Sequence, residues 1–196
     1  MRIILGSESK SRREILSDFS LPFEQVPSHF DEESVPYEGD PKNHALTLAL
    51  KKSETLGALY PHDVILTADS VVTCQGKIYN KPVSQEEAFN FLMTFSGNWQ
   101  SVFTAVAVRK GEDVYSHVEE TKLLFNPLTP YQIQQFHSYC QFMTKAGGYG
   151  IEKCGNLIIS RLEGSYDNVL GLPVNSVQKL LLQVGIDLWD YLKPLS

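Results

Sequence analysis

The sequence predicts an α/β protein in which a mixed, twisted sheet is flanked by helices. Three observations support this. Short apolar runs alternate with amphipathic helix patterns early in the chain, hairpin patterns occupy the middle, and capping residues mark where helices begin. Strand–helix alternation favours parallel strands, whereas hairpins favour antiparallel ones, so both are expected in one sheet. The length suits a single domain over residues 1–196, with room for two lobes around a central cleft.

In the first half of the chain, strands are predicted at short apolar runs and helices after capping residues. The predicted strands are residues 3–5, 64–66, 71–73 and 78–79, the last two forming a hairpin. Ser11 and Glu14 have the capping-box spacing of a first helix. A second helix should begin at Pro41, behind Asp40, and end at Gly57.

The second half continues with antiparallel strands and three more helices. Capping residues predict helices after Ser84 and at Pro130, and a leucine-rich stretch predicts one at residues 174–184. Alternating patterns at residues 102–108 and 114–125, with Gly111 between them, predict an antiparallel pair. Residues 157–159 are predicted to form a buried strand.

Charge and composition exclude several classes of protein. Nucleic-acid-binding proteins usually carry a basic patch or stripe, whereas this chain has a net charge of −6, so no nucleic-acid partner is expected. No apolar run approaches the ~20 residues that cross a bilayer, and the N-terminus lacks a signal-peptide pattern. We therefore expect a cytoplasmic protein without a membrane partner. The three cysteines show no paired spacing, which argues against a disulfide framework or a structural zinc site.

The turn after the first strand is a candidate phosphate site. Ser7 and Ser9 offer hydroxyls where a strand ends and a helix begins, a place where free backbone N–H groups favour an anion. Lys10, Arg12 and Arg13 lie in the first helical turn, where each cation costs about 0.3–1 kcal/mol against the helix dipole. A bound phosphate would reverse that cost. The alternative is a capped surface helix with solvated basic residues.

Two buried-looking positions carry charge. Lys52 falls on the apolar face of the second helix, where a lysine usually extends its ammonium to solvent and less often points at a ligand. Asp69 follows the apolar strand 64–66, and ligands of α/β sheets bind beyond the carboxyl ends of strands. A carboxylate there can hold Mg²⁺ or orient a water, and the alternative is a turn-capping aspartate.

Three later segments are weaker candidates. Lys81 precedes a proline that stiffens the backbone, which by itself indicates little. The segment 145–152 surrounds Tyr149 with three glycines, which permits close backbone approach and leaves the ring free to stack on a base; the alternative is a bulged connection. The loop 163–173 leads into a helix, and its acidic and amide residues are as consistent with a structural role as with a functional one. No P-loop, dinucleotide-binding fingerprint or serine elbow occurs.

Several short motifs follow one another in order along nearly the whole chain. They are Leu5-x-Ser7-x-Ser9-x-x-Arg12, Asp31-Glu32, Leu48-Ala49-x-x-Lys52, Ala68-Asp69-Ser70-Val71-Val72, Lys81-Pro82, Ser96-Gly97, Lys145-Ala146-Gly147-x-Tyr149-Gly150-Ile151 and Val169-x-Gly171-Leu172-Pro173. Any one of them is unspecific. As an ordered set, they resemble the Maf family of nucleoside triphosphate pyrophosphatases.

The resemblance implies a fold like that of inosine triphosphate pyrophosphatases, a divalent metal, Mg²⁺ or Mn²⁺, and often a homodimer. It implies that Asp69 is the proton acceptor, that Arg12, Lys52 and Lys81 bind the substrate phosphates, and that Glu32 lies close to the metal with Asp69. The implied reaction is hydrolysis of a nucleoside triphosphate, non-standard or modified, to the monophosphate and pyrophosphate. The alternative is a nucleotide-binding regulator, linked to cell division, with little or no catalysis.

The sequence departs from the family at the positions linked to base choice. The first motif usually reads Ser-Pro-Arg-Arg or Ser-Pro-Trp-Arg, whereas this chain has Lys10 and Ser11 in the middle positions. The dTTP/UTP branch has Arg, Thr and Gln at the three base-linked positions, and the 7-methyl-GTP branch has Trp, Gln and Glu. Here they are Ser11, Ser70 and Glu152, which match neither branch. Glu152 accepts hydrogen bonds, as a guanine edge requires, which favours a purine or modified purine.

Overall fold

The structure is a computed structural model that describes residues 2–152 and 154–193. Within that part of the chain, seven strands form one sheet: β1 (Ile3–Gly6), β2 (Phe23–Gln25), β3 (Val64–Cys74), β4 (Lys77–Ile78), β5 (Trp99–Lys110), β6 (Asp113–Phe125) and β7 (Ile159–Glu163). The helices there are α1 (Lys10–Ser17), α2 (Pro41–Leu59), α3 (Gln85–Phe95), α4 (Pro130–Tyr139), α5 (Gly155–Ile158), α6 (Tyr166–Leu170) and α7 (Val174–Leu182). Short 3-10 turns lie at Glu32–Ser34, Ala146–Gly148 and Leu188–Tyr191.

The sheet is mixed, as the sequence predicts. Its strand order is β2-β1-β3-β5-β6-β7, with β4 paired to β3. The strand β1 is parallel to β2 and β3, whereas the pairs β3–β5, β5–β6 and β6–β7 are antiparallel. The predicted α/β class, a mixed sheet flanked by helices, is confirmed.

The most consequential difference from the prediction concerns β3. Residues 64–66 and 71–73 were expected to be separate strands with Asp69 after the first of them. That expectation is wrong, because β5 pairs with β3 along its whole length, from Val64 to Cys74. The strand β1 pairs with β3 only as far as Thr67. Asp69 therefore lies in the middle of β3, beyond the end of β1, and still next to the carboxyl end of a parallel strand.

Helix boundaries differ from the prediction in three places, one of which is that α7 ends at Leu182 and not at residue 184. The first helix begins after Ser9, whose hydroxyl accepts a hydrogen bond from the Arg12 amide, so Ser11 is a helical residue and not the cap. The helix α2 continues through Gly57 to Leu59. A β-carbon at Gly57 would lie 2.5 Å from Cδ of Arg109, so the glycine gives that side chain room and does not end the helix.

The predicted strand at residues 157–159 is also wrong. Its first two residues belong to α5, and β7 begins only at Ile159. Leu157 is exposed, whereas Ile158 is buried, which suits a single helical turn and not a strand with two buried faces. Short apolar runs do not distinguish a buried strand from a buried helical turn.

The core forms on both faces of the sheet. Helices α3 and α4 pack over an aromatic cluster that contains Phe95 and Phe125, and α1 and α7 pack over an aliphatic one. Helix α2 packs on the sheet through small residues, Ala45 and Ala49. Because these side chains are short, α2 approaches β3 closely, and the Thr67 hydroxyl donates a 2.7 Å hydrogen bond to the Ala49 carbonyl. In residues 2–152 and 154–193, no helix has the length and apolar character to cross a membrane.

Candidate functional site

The site is built around the turn that follows β1. Gly6 ends the strand where a β-carbon would lie 2.4 Å from Leu56 Cδ1 and 2.6 Å from Thr67 Cγ2, so only glycine fits. The Ser9 amide donates to Ser7 Oγ at 3.2 Å. From β2, the Gln25 side-chain amide donates to the Ser7 carbonyl at 2.7 Å and to the Ser9 carbonyl at 3.3 Å. The predicted phosphate turn is thus a fixed loop, and its link to Gln25 had no signal in the sequence.

Arg12 points inward from α1 and holds this turn against β3. Its Nε donates to the Gly171 carbonyl at 2.7 Å. Its Nη1 donates to Ser7 Oγ at 3.2 Å and to the Ala68 carbonyl at 2.9 Å, and its Nη2 donates to Ser70 Oγ at 3.1 Å. A guanidinium has five N–H donors, so four of them are engaged within the protein. Arg12 therefore holds both neighbours of Asp69, through the Ala68 carbonyl and the Ser70 hydroxyl, and keeps its charge beside that carboxylate.

Lys52 does not extend to solvent, so the more usual interpretation of its position is wrong. It is 6% exposed, and its Nζ lies 2.6 Å from Asp69 Oδ1 and 2.8 Å from Glu32 Oε1. Asp69 is 7% exposed, whereas the Glu32 side chain is 54% exposed on its 3-10 turn. Carboxylates from two separate segments thus meet the one ammonium group that α2 supplies.

Burial and charge act in opposite directions on the two carboxyls. Burial raises the pKa of Asp69 above the ordinary value for aspartate, although the charges of Lys52 and Arg12 oppose it. For Glu32, partial burial alone would raise the pKa, but it is outweighed by the hydrogen bond and charge of Lys52 and by the charges of Lys81 and Arg12, and the pKa is lowered. The site therefore pairs a carboxyl of increased proton affinity with one that stays ionised.

Lys81 is exposed and lies near enough to Glu32 for its charge to act on that carboxyl. The structure thus brings the predicted phosphate-binding cations Arg12, Lys52 and Lys81 around the two carboxylates. Lys10 and Arg13, also considered for phosphate, are exposed on α1. The catalytic and binding roles themselves stay predictions.

The base-linked positions are joined by a residue to which the sequence assigned no role. The Lys145 ammonium donates to Ser11 Oγ at 2.8 Å and to Glu152 Oε1 at 2.6 Å, and Ser11 Oγ donates to the same Glu152 oxygen at 3.3 Å. Partial burial alone would raise the pKa of Glu152, but the hydrogen bond and charge of Lys145, together with hydrogen bonds from the backbone and from Ser11, outweigh it and the pKa is lowered. Glu152 is therefore an ionised acceptor.

Ser70, the third base-linked residue, is held from behind by Thr104, which the sequence did not single out for function, and through it by Asn168, which lies in the loop 163–173 considered above. Its hydroxyl lies 2.9 Å from the Thr104 hydroxyl, which itself donates to the Asn168 carbonyl at 3.0 Å. The Asn168 amide donates to the Val102 carbonyl and to Thr121. This buried chain ties Arg12 and Ser70 to β5 and α6. The sequence gave no sign of it, because Thr104 lies within a strand pattern and is 64 positions from Asn168.

Tyr149 is part of the core and is not available to stack on a base. It is buried, its hydroxyl donates to Gln100 Oε1, and its ring makes edge contacts with Phe95 and Phe125. The glycines around it do adopt unusual dihedrals, with φ of 76° at Gly147. The aromatic ring that lies near Glu152 and is half-exposed is instead Tyr166, whose pKa is raised by burial and by the charge of Glu152.

The donor chemistry of the site suits a hard divalent cation. Among the described residues, no three His, Cys, Asp or Glu side chains group into a metal site by themselves. Asp69 and Glu32 nevertheless share one ammonium partner at 2.6 and 2.8 Å, so their oxygens are close to each other. Magnesium is commonly held by one or two carboxylates together with substrate phosphates and water, and these two residues fit that requirement.

Comparisons with known proteins agree with the motifs. A family model described as Maf-like protein matches residues 2–184. A dTTP/UTP pyrophosphatase of Chlamydia caviae is 40% identical over 97% of this chain and 98% of its own length, and one of Clostridium perfringens is 36% identical over 92% and 96%. Among solved structures, the Ham1 protein of Staphylococcus aureus is similar with a TM-score of 0.46 and 14% identity, over 65% of this chain and 73% of that one. Because the family model covers nearly the whole chain, the chain belongs to the Maf family.

Proposed function

We propose that this protein hydrolyses nucleoside triphosphates to the monophosphate and pyrophosphate. The observation that carries the proposal is the contact of the buried Lys52 ammonium with the buried Asp69 and with the half-exposed Glu32, beside Arg12 and next to the carboxyl end of β1. A buried ion pair alone is weak support, because such pairs often contribute little to stability. A carboxyl whose pKa is shifted by burial and by specific charged partners, and which lies among several cations, is more typical of a functional site.

In the proposed reaction, Asp69 accepts a proton from a water molecule. The water oxygen forms a bond to the α-phosphorus, and the bond between that phosphorus and the oxygen bridging to the β-phosphorus breaks. Pyrophosphate leaves, and the nucleoside monophosphate keeps the new oxygen. The raised pKa of Asp69 suits it as the base, because a carboxylate with greater proton affinity removes a proton more effectively.

The remaining residues bind and orient the triphosphate. Lys52 and Lys81 offset negative charge on the phosphates, and Arg12 adds its charge while it holds the turn after β1 in place. Ser7 and Ser9 present hydroxyls on that turn. A divalent cation held by Asp69 and Glu32 would supply further neutralisation of phosphate charge. The cation, the homodimer that the family often forms, and the preference for non-standard nucleotides are part of this proposal.

The test is a panel of nucleoside triphosphates incubated with the protein and Mg²⁺ or Mn²⁺, with all products resolved. We expect monophosphate and pyrophosphate in equal amounts. Release of orthophosphate alone would contradict the proposal. Asp69→Asn should remove nearly all turnover while the circular dichroism spectrum is unchanged, and full activity of that variant would refute the assigned role. Tight nucleotide binding without turnover would instead support the nucleotide-binding regulator.

A further inference from the structure

The turn after β1 is tied to a residue outside the ordered motifs, Gln25, which ends β2. Its Nε2 lies 2.7 Å from the Ser7 carbonyl oxygen and 3.3 Å from that of Ser9, and it donates to both. A side-chain amide nitrogen has two N–H donors, so both are used here. Gln25 is partly buried, and water therefore competes less for these carbonyls. A single side chain thus fixes two carbonyls of the turn.

The direction of these carbonyls also sets the direction of the amides that follow them. None of the peptide bonds in the described residues is cis, and in a trans peptide the C=O and the next N–H point to opposite sides. Because the Ser7 carbonyl points at Gln25, the Glu8 amide points away from β2. The strands β2 and β3 pair with opposite edges of β1, so that direction leads towards β3, which carries Asp69.

The turn presents several hydrogen-bond donors that the protein itself does not use. Within the part of the chain that the structure describes, the amides of Glu8, Lys10 and Ser11 have no hydrogen-bond acceptor. Those of Lys10 and Ser11 belong to the first turn of α1 and point out of its N-terminal end. The Ser7 hydroxyl already accepts two hydrogen bonds, so only its proton is left to offer. Such a set of donors suits a phosphate group, whose oxygens accept hydrogen bonds.

We propose that Gln25 is a positioning residue for the triphosphate. It does not touch the substrate; it holds the Ser7 and Ser9 carbonyls towards β2 and so keeps the amides of the turn directed at the phosphates. This inference rests on the proposed function and adds a residue to its phosphate site. Without Gln25, rotation of these peptides turns carbonyl oxygens towards the phosphate oxygens, and acceptors that face one another repel. Donors that are already oriented need no reorganisation when the ligand binds.

The substitution Gln25→Leu removes both donors at similar size, and its kinetics distinguish positioning from a general loss of structure. The turn binds the triphosphate before the reaction and during it, so its disturbance weakens both states equally. With the nucleotide that wild type cleaves fastest, KM should rise about 5- to 30-fold while kcat is unchanged, the range expected for one or two hydrogen bonds. Partial unfolding would instead reduce the amount of active protein, which lowers the apparent kcat and leaves KM as it was.

Two further variants serve as controls. Gln178→Leu is the matched one, because Gln178 is also partly buried and makes two hydrogen bonds, at 2.7 Å to Asp187 and at 2.8 Å from the Leu188 amide, away from the site. It should lower the midpoint of urea unfolding without changing KM. Gln25→Glu keeps the shape of the side chain but replaces its donors by acceptors, so KM should rise at least as far as in Gln25→Leu.

A binding measurement separates this inference from the proposed function. Inorganic triphosphate carries no nucleoside, so its affinity reports the phosphate contacts alone. In titration calorimetry without a divalent cation, its dissociation constant should be about 5- to 30-fold higher for Gln25→Leu than for wild type and unchanged for Gln178→Leu. The inference is overturned if Gln25→Leu binds triphosphate as tightly as wild type, if wild type does not bind it, or if kcat falls while KM is unchanged. Binding that depends on Gln25, without turnover of any nucleotide, would contradict the proposed function and leave this inference intact.

Discussion

Removal of the Lys52 ammonium should destabilise the protein strongly and should do so in a pH-dependent way. In Lys52→Met, the apolar stem is kept, but Asp69 loses the partner that lies 2.6 Å from its Oδ1. Lys52 and Asp69 have side chains only 8% and 9% exposed, so water does not replace the lost contact easily. Breaking a buried ion pair by removing one partner costs about 3–5 kcal/mol.

Glu32 adds little to this cost, because its side chain is half-exposed and solvent screens its charge. The expected loss at neutral pH is therefore about 3–5 kcal/mol, a large share of the ~5–15 kcal/mol that a folded domain typically has. Without the lysine charge, which lowers the pKa of Asp69, that pKa rises further above its unfolded value. The penalty is thus fully present above the raised pKa and is lost as the pH falls towards the ordinary pKa of aspartate.

Urea unfolding followed by circular dichroism measures the loss at neutral pH and at acidic pH. The variant Lys52→Met combined with Asp69→Asn leaves no unpaired buried charge, so at neutral pH it should be more stable than Lys52→Met alone despite the additional substitution. Lys51→Met, which breaks an exposed pair one residue away, should cost less than about 1 kcal/mol. A loss for Lys52→Met that is the same at both pH values, or a double variant less stable than the single one, would refute this reasoning.

Three further substitutions test other parts of the structure. Thr104→Val removes the hydroxyl between Ser70 and the Asn168 carbonyl and should cost about 1–3 kcal/mol in urea unfolding, whereas Thr104→Ser should retain most of the stability; equal losses would contradict the hydrogen-bonded chain. Gly6→Ala should lower the free energy of unfolding by about 1–3 kcal/mol, because the added β-carbon would lie 2.4 Å from Leu56. An unchanged midpoint of urea unfolding would show that the turn has room for it. Phe95→Ala, at a fully buried position in the aromatic cluster, should cost about 3–5 kcal/mol, and a loss below 1 kcal/mol would mean that the cluster is loosely packed.

The sequence predicted the parts of the fold that depend on local chemistry. The starts of α2 at Pro41 and of α4 at Pro130 are observed as expected, because caps act within three or four residues. The ends of β3 and the nature of residues 157–159 were not predictable in this way. They depend on pairing with β5 and on which side of a short turn faces the core, and those partners are distant in sequence.

The candidate site was predictable as a set of residues but not as a geometry. The ordered motifs named Arg12, Lys52 and Asp69 together, and the structure brings them together. Local patterns favoured a Lys52 ammonium that extends to solvent and allowed a Tyr149 ring that stacks on a base. Both predictions were wrong, because tertiary contacts decide where a long side chain or an aromatic ring points. The contact of Lys145 with Ser11 joins residues 134 positions apart in the sequence, which no local pattern reports.

The central claim is that water attacks the α-phosphorus at the Asp69 carboxylate. Hydrolysis of UTP in ¹⁸O-labelled water with Mg²⁺ or Mn²⁺, followed by mass spectrometry of both products, tests it most directly. We predict that the label appears in the uridine monophosphate and not in the pyrophosphate, and that Asp69→Asn forms neither product at a measurable rate. Label in the pyrophosphate, or labelled monophosphate formed by Asp69→Asn at the wild-type rate, would contradict the account.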